Sequence, residues 1–279
     1  MTLSEIRKLL NDEDIMLTKS LGQTFMHDKN QLLKIVALAK LATDDSVIEI
    51  GPGLGPLTGL LLEAVSHVTA IETDRRLIKL LEKQFAKREN LSLQHADAMK
   101  IVRKTEFDWS KHKLVANLPY SIASPLLIDL AFSEGRPRAM IVTLQLEVVR
   151  RMLAGPGSSE YGVLTLLIGL HYATGESFVI PRGSFYPEPN VDSGCIELLR
   201  RATPLLPSEL CPVFKKIVKR VFAERRKKMM KLLKRDWPEA AVAEAFDALG
   251  LDETIRAERV TLEQFAELTQ RLSRAEIDE

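Results

Sequence analysis

Asn117, Leu118, Pro119 and Tyr120 form the stretch whose residue types suit a defined piece of chemistry, the handling of a planar amine. The Asn117 amide and nearby backbone carbonyls can accept hydrogen bonds from an exocyclic amino group. Pro119 stiffens the turn, and Tyr120 offers a face on which a base can stack. The four follow an apolar run, Lys113 to Ala116, and lead into Ser121 to Pro125, which reads as the mouth of a helix. A strand, a tight turn and a helix start put side chains at the C-terminal edge of a sheet, where open α/β folds bind ligands. Taken alone, the same stretch fits an Asx-type turn with a packed tyrosine equally well. The other residues at that edge decide between the two.

Three more strand ends carry the right groups. Val47 to Ile50 is a short buried strand containing Glu49, closed by Gly51-Pro52-Gly53-Leu54-Gly55 before a helix opens at Pro56. Glycines let backbone pass close to a ligand, and a helix N-terminus favours electron-rich groups. A dinucleotide fingerprint would need its third glycine at Pro56, so the turn departs from a pyrophosphate cradle. His67 to Glu72 is a second strand, ending in an acid about twenty residues beyond the glycines, where a carboxylate accepts both hydroxyls of a ribose. Leu91 to Asp97 is a third, with Asp97 placed to accept a hydrogen bond from an adenine amino group. Gly51, Glu72, Asp97 and Asn117 thus end four successive strands. They describe a site for a nucleoside without phosphates, which is S-adenosylmethionine.

The remainder of the chain sets the frame. Its 279 residues, 46% hydrophobic and 28% charged, are those of an ordinary soluble globular protein of one large domain or two smaller ones. A net charge of +1 excludes a polycation, so any nucleic-acid surface must be local. Cys195 and Cys211 lack metal-ligand spacing, and no metal is expected. Two thiols in a chain without a signal peptide or a long apolar run point to the cytoplasm. Leu3, Ile6, Leu9 and Leu10 predict a first helix with Ser4 as its cap. Residues 19–28 read as a packed loop, His27 as a surface residue, and Gln31 to Leu41 as a second amphipathic helix. Arg138 to Leu144 predicts a fifth strand, and Ser177–Pro181 with Val191–Leu199 a further pair joined by a proline-rich turn. From Pro204 onward the pattern is helical, dividing the chain into residues 1–202 and 203–279. Between Val213 and Trp237 stand eleven Lys or Arg residues against two acids. That run is either a solvated helix face or a helix holding phosphates through Arg225, Arg226, Lys227 and Lys228.

Six segments in order resemble the motifs of one family: Gly22 to Met26, Glu49 to Gly53, Asn117 to Tyr120, Phe185 to Ser193, Phe222 to Lys227, and Arg256 to Glu258. The family is the ribosomal RNA adenine N6,N6-dimethyltransferases of the KsgA/RsmA type. The resemblance implies a Rossmann-like class I methyltransferase domain with a mostly parallel seven-stranded sheet, followed by a small all-α RNA-binding domain. It implies cofactor contacts from Thr24, Met26, Gly51, Glu72, Asp97 and Asn117. Catalysis would fall to Asn117, Leu118, Tyr120 and Phe185, with Phe185 exposed so that it and Tyr120 sandwich the target base. The partner would be small-subunit rRNA in the assembling 30S subunit, dimethylated at two adjacent adenosines in its 3′-terminal hairpin loop. No membrane or metal is implied, and nothing demands a dimer. Thr24 and Met26 stand where the family has Asn and Leu; a backbone contact at position 26 survives that change. Only Lys19 supplies a basic residue just before the first motif, and Asp12-Glu13-Asp14 is acidic. Methyltransferases of the macrolide-resistance type, acting on large-subunit rRNA, share residues like Asn117 to Tyr120. The Phe185–Ser193 and Arg256–Glu258 segments favour the small-subunit enzyme. A non-catalytic assembly or transcription factor on this fold is opposed by the intact Gly51, Glu72, Asp97 and Asn117.

Overall fold

The computed structural model describes residues 1–17, 23–104 and 107–275; Lys19 and Gly22 lie outside them. Helix α1 (Leu3–Asp12) is capped by Thr2 rather than by Ser4. The Thr2 hydroxyl accepts the Glu5 N–H while the Glu5 carboxylate accepts the Thr2 N–H, so Ser4 is drawn into the first turn. A two-residue strand β1 (Phe25–Met26) follows, then α2 (Lys29–Leu38). That helix starts two residues earlier than the hydrophobic pattern predicts because Asp28 caps the N–H groups of Asn30 and Gln31.

Strands and helices then alternate: β2 (Ser46–Ile50), α3 (Pro56–Ala64), β3 (His67–Glu72), α4 (Arg75–Gln84), β4 (Leu91–His95), α5 (Ala98–Arg103), β5 (His112–Asn117), α6 (Tyr120–Phe132) and β6 (Ala139–Gln145). Next come α7 (Leu146–Leu153), α8 (Val163–Gly169), β7 (Tyr172–Ile180), β8 (Phe185–Tyr186) and β9 (Ser193–Arg200). Seven strands form one sheet in the order β4-β3-β2-β5-β6-β9-β7. The first five run parallel, and β9 lies antiparallel to β6, as the sequence predicts for the closing strands. Central β2 and β6 are buried almost residue after residue, and β5 through Leu114, Val115 and Ala116, the pattern of strands covered on both faces.

The sequence pattern does not foretell the pairing of β1 with β8, which sets Phe25 opposite Tyr186 and Met26 opposite Phe185. Phe185 is accordingly a core residue, 2% exposed beside Met26, Leu32 and Ile35. The expectation that Phe185 is exposed to sandwich a base is corrected. Alternation along a strand sends neighbouring side chains to opposite faces, so Phe185 goes inward while Tyr186 stays half-buried beneath Arg7.

The chain divides into two compact units, Met1–Val149 with Thr174–Arg200, and Arg150–Ala173 with Arg201–Glu279. The second comprises α8, α9 (Cys211–Phe222), α10 (Met229–Leu233), α11 (Glu239–Ala248) and α12 (Leu262–Ala275). Residues 150–173, assigned to the first domain on sequence, belong to this helical unit for a local reason. The Tyr161 ring meets Phe222 edge-on, its hydroxyl donates to the Val260 carbonyl at 2.8 Å, and the Gly157 N–H donates to Glu258 at 2.6 Å. No helix among the described residues is long and apolar enough to cross a membrane.

Candidate active site

The parallel register of β2 to β5 brings their C-terminal ends to one edge, and a cavity of about 240 Å³ opens there. Thr24, Met26, Gly51, Glu72, Asp97, Asn117 and Leu118 all line it, which gathers every expected cofactor residue in one place. Gly53 makes the turn after β2 possible. Its φ is +60°, and a Cβ there would sit 2.9 Å from the Phe25 ring, so neither the backbone nor the space admits a side chain.

Glu72 ends β3 with its carboxylate fastened by backbone. Oε1 accepts the N–H groups of Thr73 and Asp74 at 2.8 and 2.9 Å, while Oε2 receives only a long 3.4 Å contact from Gly53. Burial raises its pKa against the pull of those amides. Oε2 therefore retains capacity for hydroxyl donors. Asp97 caps α5 through Oδ1, which accepts the Met99 N–H at 2.9 Å.

Asn117 ends β5. Its Nδ2 donates to the Thr24 carbonyl at 3.5 Å, and its buried Oδ1 has no partner among the described residues. An orphaned buried acceptor is costly unless a ligand satisfies it. The Leu118 N–H donates to Thr143 on β6 at 3.2 Å, locking the peptide of the turn. Tyr120 opens α6 and is not part of the cavity wall; its hydroxyl lies 2.5 Å from Ser193 Oγ. Phe185, buried, presents no face to a base.

Two residues at this edge escaped the sequence reading as site residues. Gln23 lines the cavity and donates to Asp74 at 2.9 Å; the Arg76 guanidinium beside Asp74 holds that carboxyl down at about 2. Glu49, also in the wall, accepts from the Thr58 hydroxyl at 2.6 Å and is pushed up to about 8 by its burial. Both were visible as motif members, but nothing in their spacing distinguishes a wall residue from a neighbour.

The four basic residues stand in the turn between α9 and α10, not on a helix as expected. Arg225 is engaged: it donates to the Tyr161 carbonyl at 3.1 Å, pairs with Glu258 at 3.7 Å and lies over the Phe222 ring. Lys227 pairs with Glu224. Arg226 and Lys228 are exposed. Among the described residues no cluster of three metal-ligating side chains occurs.

A mostly parallel seven-stranded sheet closed by an antiparallel strand, with the glycine turn after β2 and the acid that ends β3 lining one cavity at its edge, has the architecture of a methyltransferase of the Rossmann-like class. Residues 16–274 match the family model described as ribosomal RNA adenine dimethylase, and the chain belongs to that family. It is 37% identical over 286 aligned residues to the ribosomal RNA small subunit methyltransferase A of Lactiplantibacillus plantarum, covering 97% of this chain and 95% of that protein. The protein of the same name from Syntrophus aciditrophicus is 34% identical, covering 96% and 98%. Among solved structures, a dimethyladenosine transferase from Plasmodium falciparum shares the fold with a TM-score of 0.78 at 24% identity, over 90% of this chain and 98% of that one. The 23S rRNA methyltransferase ErmE gives 0.68 at 27% identity, over 89% and 99%.

Proposed function

We propose that this protein dimethylates N6 of two adjacent adenosines in the 3′-terminal hairpin loop of small-subunit rRNA, with S-adenosylmethionine as methyl donor. The observation that carries the reading is the buried, unpartnered Oδ1 of Asn117 at the wall of a cavity that also holds Glu72 and Asp97. These residues fit the cofactor: Glu72 Oε2, held only by a long contact from Gly53, has capacity for ribose hydroxyls, Asp97 stands for the adenine, and Gly53 lets backbone approach. When bound, the cofactor supplies an electrophilic methyl group on a sulfonium, already a good leaving group.

The chain's own work is positioning. An adenine amine is a poor nucleophile because its lone pair is conjugated into the ring. Asn117 Oδ1 and the Leu118 carbonyl accept its two N–H groups, drawing the nitrogen towards a pyramidal shape and directing its lone pair. Tyr120 stacks against the extruded base, worth about 1–3 kcal/mol, which offsets much of the few kcal/mol that extrusion costs. Holding the reactants in line then supplies most of the rate. The methylated nitrogen is acidic enough to lose its proton to water, so no strong general base is required. In the second unit, the exposed Arg226 and Lys228 hold the RNA backbone, which gives affinity without sequence information. The small-subunit target rests on the near-full-length likeness to proteins of that name.

The test is methyl transfer from labelled S-adenosylmethionine to small ribosomal subunits from a strain lacking the modification. Dimethyladenosine should appear at about four methyls per subunit, and Asn117→Ala should slow transfer at least about a hundredfold, as loss of a transition-state hydrogen bond does. Label in large subunits instead would transfer the assignment to the type of target named for ErmE.

A further inference from the structure

The Phe185–Ser193 motif does not supply the second stacking ring, so its contribution to the site must lie elsewhere. Ser193 is its last residue and the first of β9. It is 0% exposed, and its backbone is set in the ladder opposite Gln145, with the Leu146 N–H donating to Asp192 beside it at 3.0 Å. Its hydroxyl meets the Tyr120 hydroxyl at 2.5 Å, the one hydrogen bond of that phenol among the described residues. Tyr120 itself sits on the first turn of α6, half-buried, where a tyrosine has two free torsions. A rigid sheet residue thus grips the far end of a ring whose near end is mounted on a turn.

We propose that Ser193 is a positioning residue for methyl transfer: it fixes the plane of the Tyr120 ring through the hydroxyl–hydroxyl bond, and so sets the platform for the target base. This rests on the proposed function, in which Tyr120 receives that base. Asn117 and Leu118 grip the amine from the turn, and Ser193 secures the stacking surface from a different strand. Neither Ser193 nor Tyr120 lines the cofactor cavity, so losing the bond is expected to leave cofactor affinity unchanged.

Ser193→Ala, Tyr120→Phe and the double variant are compared with wild type for cofactor binding by calorimetry, for kcat on small subunits, and for melting temperature. Each single variant loses the same bond, so each should lower kcat about tenfold with cofactor affinity unchanged. The double variant should be no slower than either single one, because the two act as one unit. Should Ser193→Ala fail to fold, the same split between kcat and cofactor affinity in Tyr120→Phe carries the test. Wild-type kcat in Ser193→Ala, multiplicative losses in the double variant, or a parallel fall in cofactor affinity overturns the proposal. A wild-type protein that binds the cofactor but methylates no ribosomal subunit overturns the proposed function, and this proposal with it.

Discussion

Phe185 carries an aromatic ring in a motif next to a catalytic edge, yet it works as packing. Phe185→Ala should cost about 3–5 kcal/mol of stability, as large-to-small changes in a core do, whereas Phe185→Leu should retain cofactor binding and most of kcat. Denaturant melts with parallel activity assays would check this; a Phe185→Leu protein that is stable but inactive would restore the ring to the chemistry. Thr24 shows the opposite economy. Its backbone carbonyl receives the Asn117 amide, so a hydroxyl in place of the family's usual amide leaves that contact intact. Glu49 is a buried carboxyl with a pKa raised from 4.5 to about 8 by desolvation. The folded protein binds this proton more tightly than the unfolded chain does. Its contribution to stability is therefore complete below pH 4.5 and is lost as pH rises to about 8. Glu49→Gln keeps the acceptor for Thr58 and removes the titration. Between pH 5 and 8 the wild type should lose several kcal/mol relative to the variant, at roughly 1.4 kcal/mol for each step of one in pH; parallel pH profiles would contradict it.

At the scale of elements, what could be read from the sequence was whatever repeats over several residues. The apolar runs of β2, β5 and β6, the glycine turn after Ile50 and the polar ends at Glu72 and Asn117 all stand where periodicity and turn chemistry place them. A strand of two residues has no period, so β1 and its pairing with β8 left no trace, and with them went the inward setting of Phe185. Caps are set by which side chain accepts the free N–H groups, hence Thr2 in place of Ser4, and a second helix that Asp28 starts two residues ahead of Gln31. The basic run misled because charge density says nothing of backbone: Arg225 to Lys228 form a turn, and their roles divide by partner. Arg225→Gln should lower the melting temperature, by about 1–2 kcal/mol of stability, since it ties Tyr161 and Glu258 to one point. Arg226→Gln and Lys228→Gln should leave the melt alone and each reduce the slope of log affinity against log salt by about 0.7–0.9. A salt series on RNA binding beside thermal melts separates the two classes, and an unchanged slope in both surface variants would remove this turn from the RNA interface.

For the molecule as a whole, the chain crosses between its units three times, at 149/150, 173/174 and 200/201. A fragment of residues 1–202 would keep the whole sheet but strand Tyr161, Leu166, Leu167 and Ile168, all buried, without Phe222, Val260 and α12. It should aggregate or melt without cooperativity, by light scattering and calorimetry, although it contains every expected cofactor residue. A monomeric fragment with a sharp melt would show that residues 150–173 settle independently of the rest of their unit.

The same interleaving sets a timetable on the ribosome. Helix α8 is made before the last two strands of the large sheet are complete, and α9 begins about 40 residues later. At roughly 5–20 residues per second, the apolar face of α8 waits some 2–8 s for α9, and longer for α12. The sheet can close in that interval while the segment looped out of it is still unpaired. The final helix to be synthesised thus finishes a piece begun a hundred residues earlier, and a protein assigned to ribosome maturation itself depends on how steadily a ribosome delivers its last quarter.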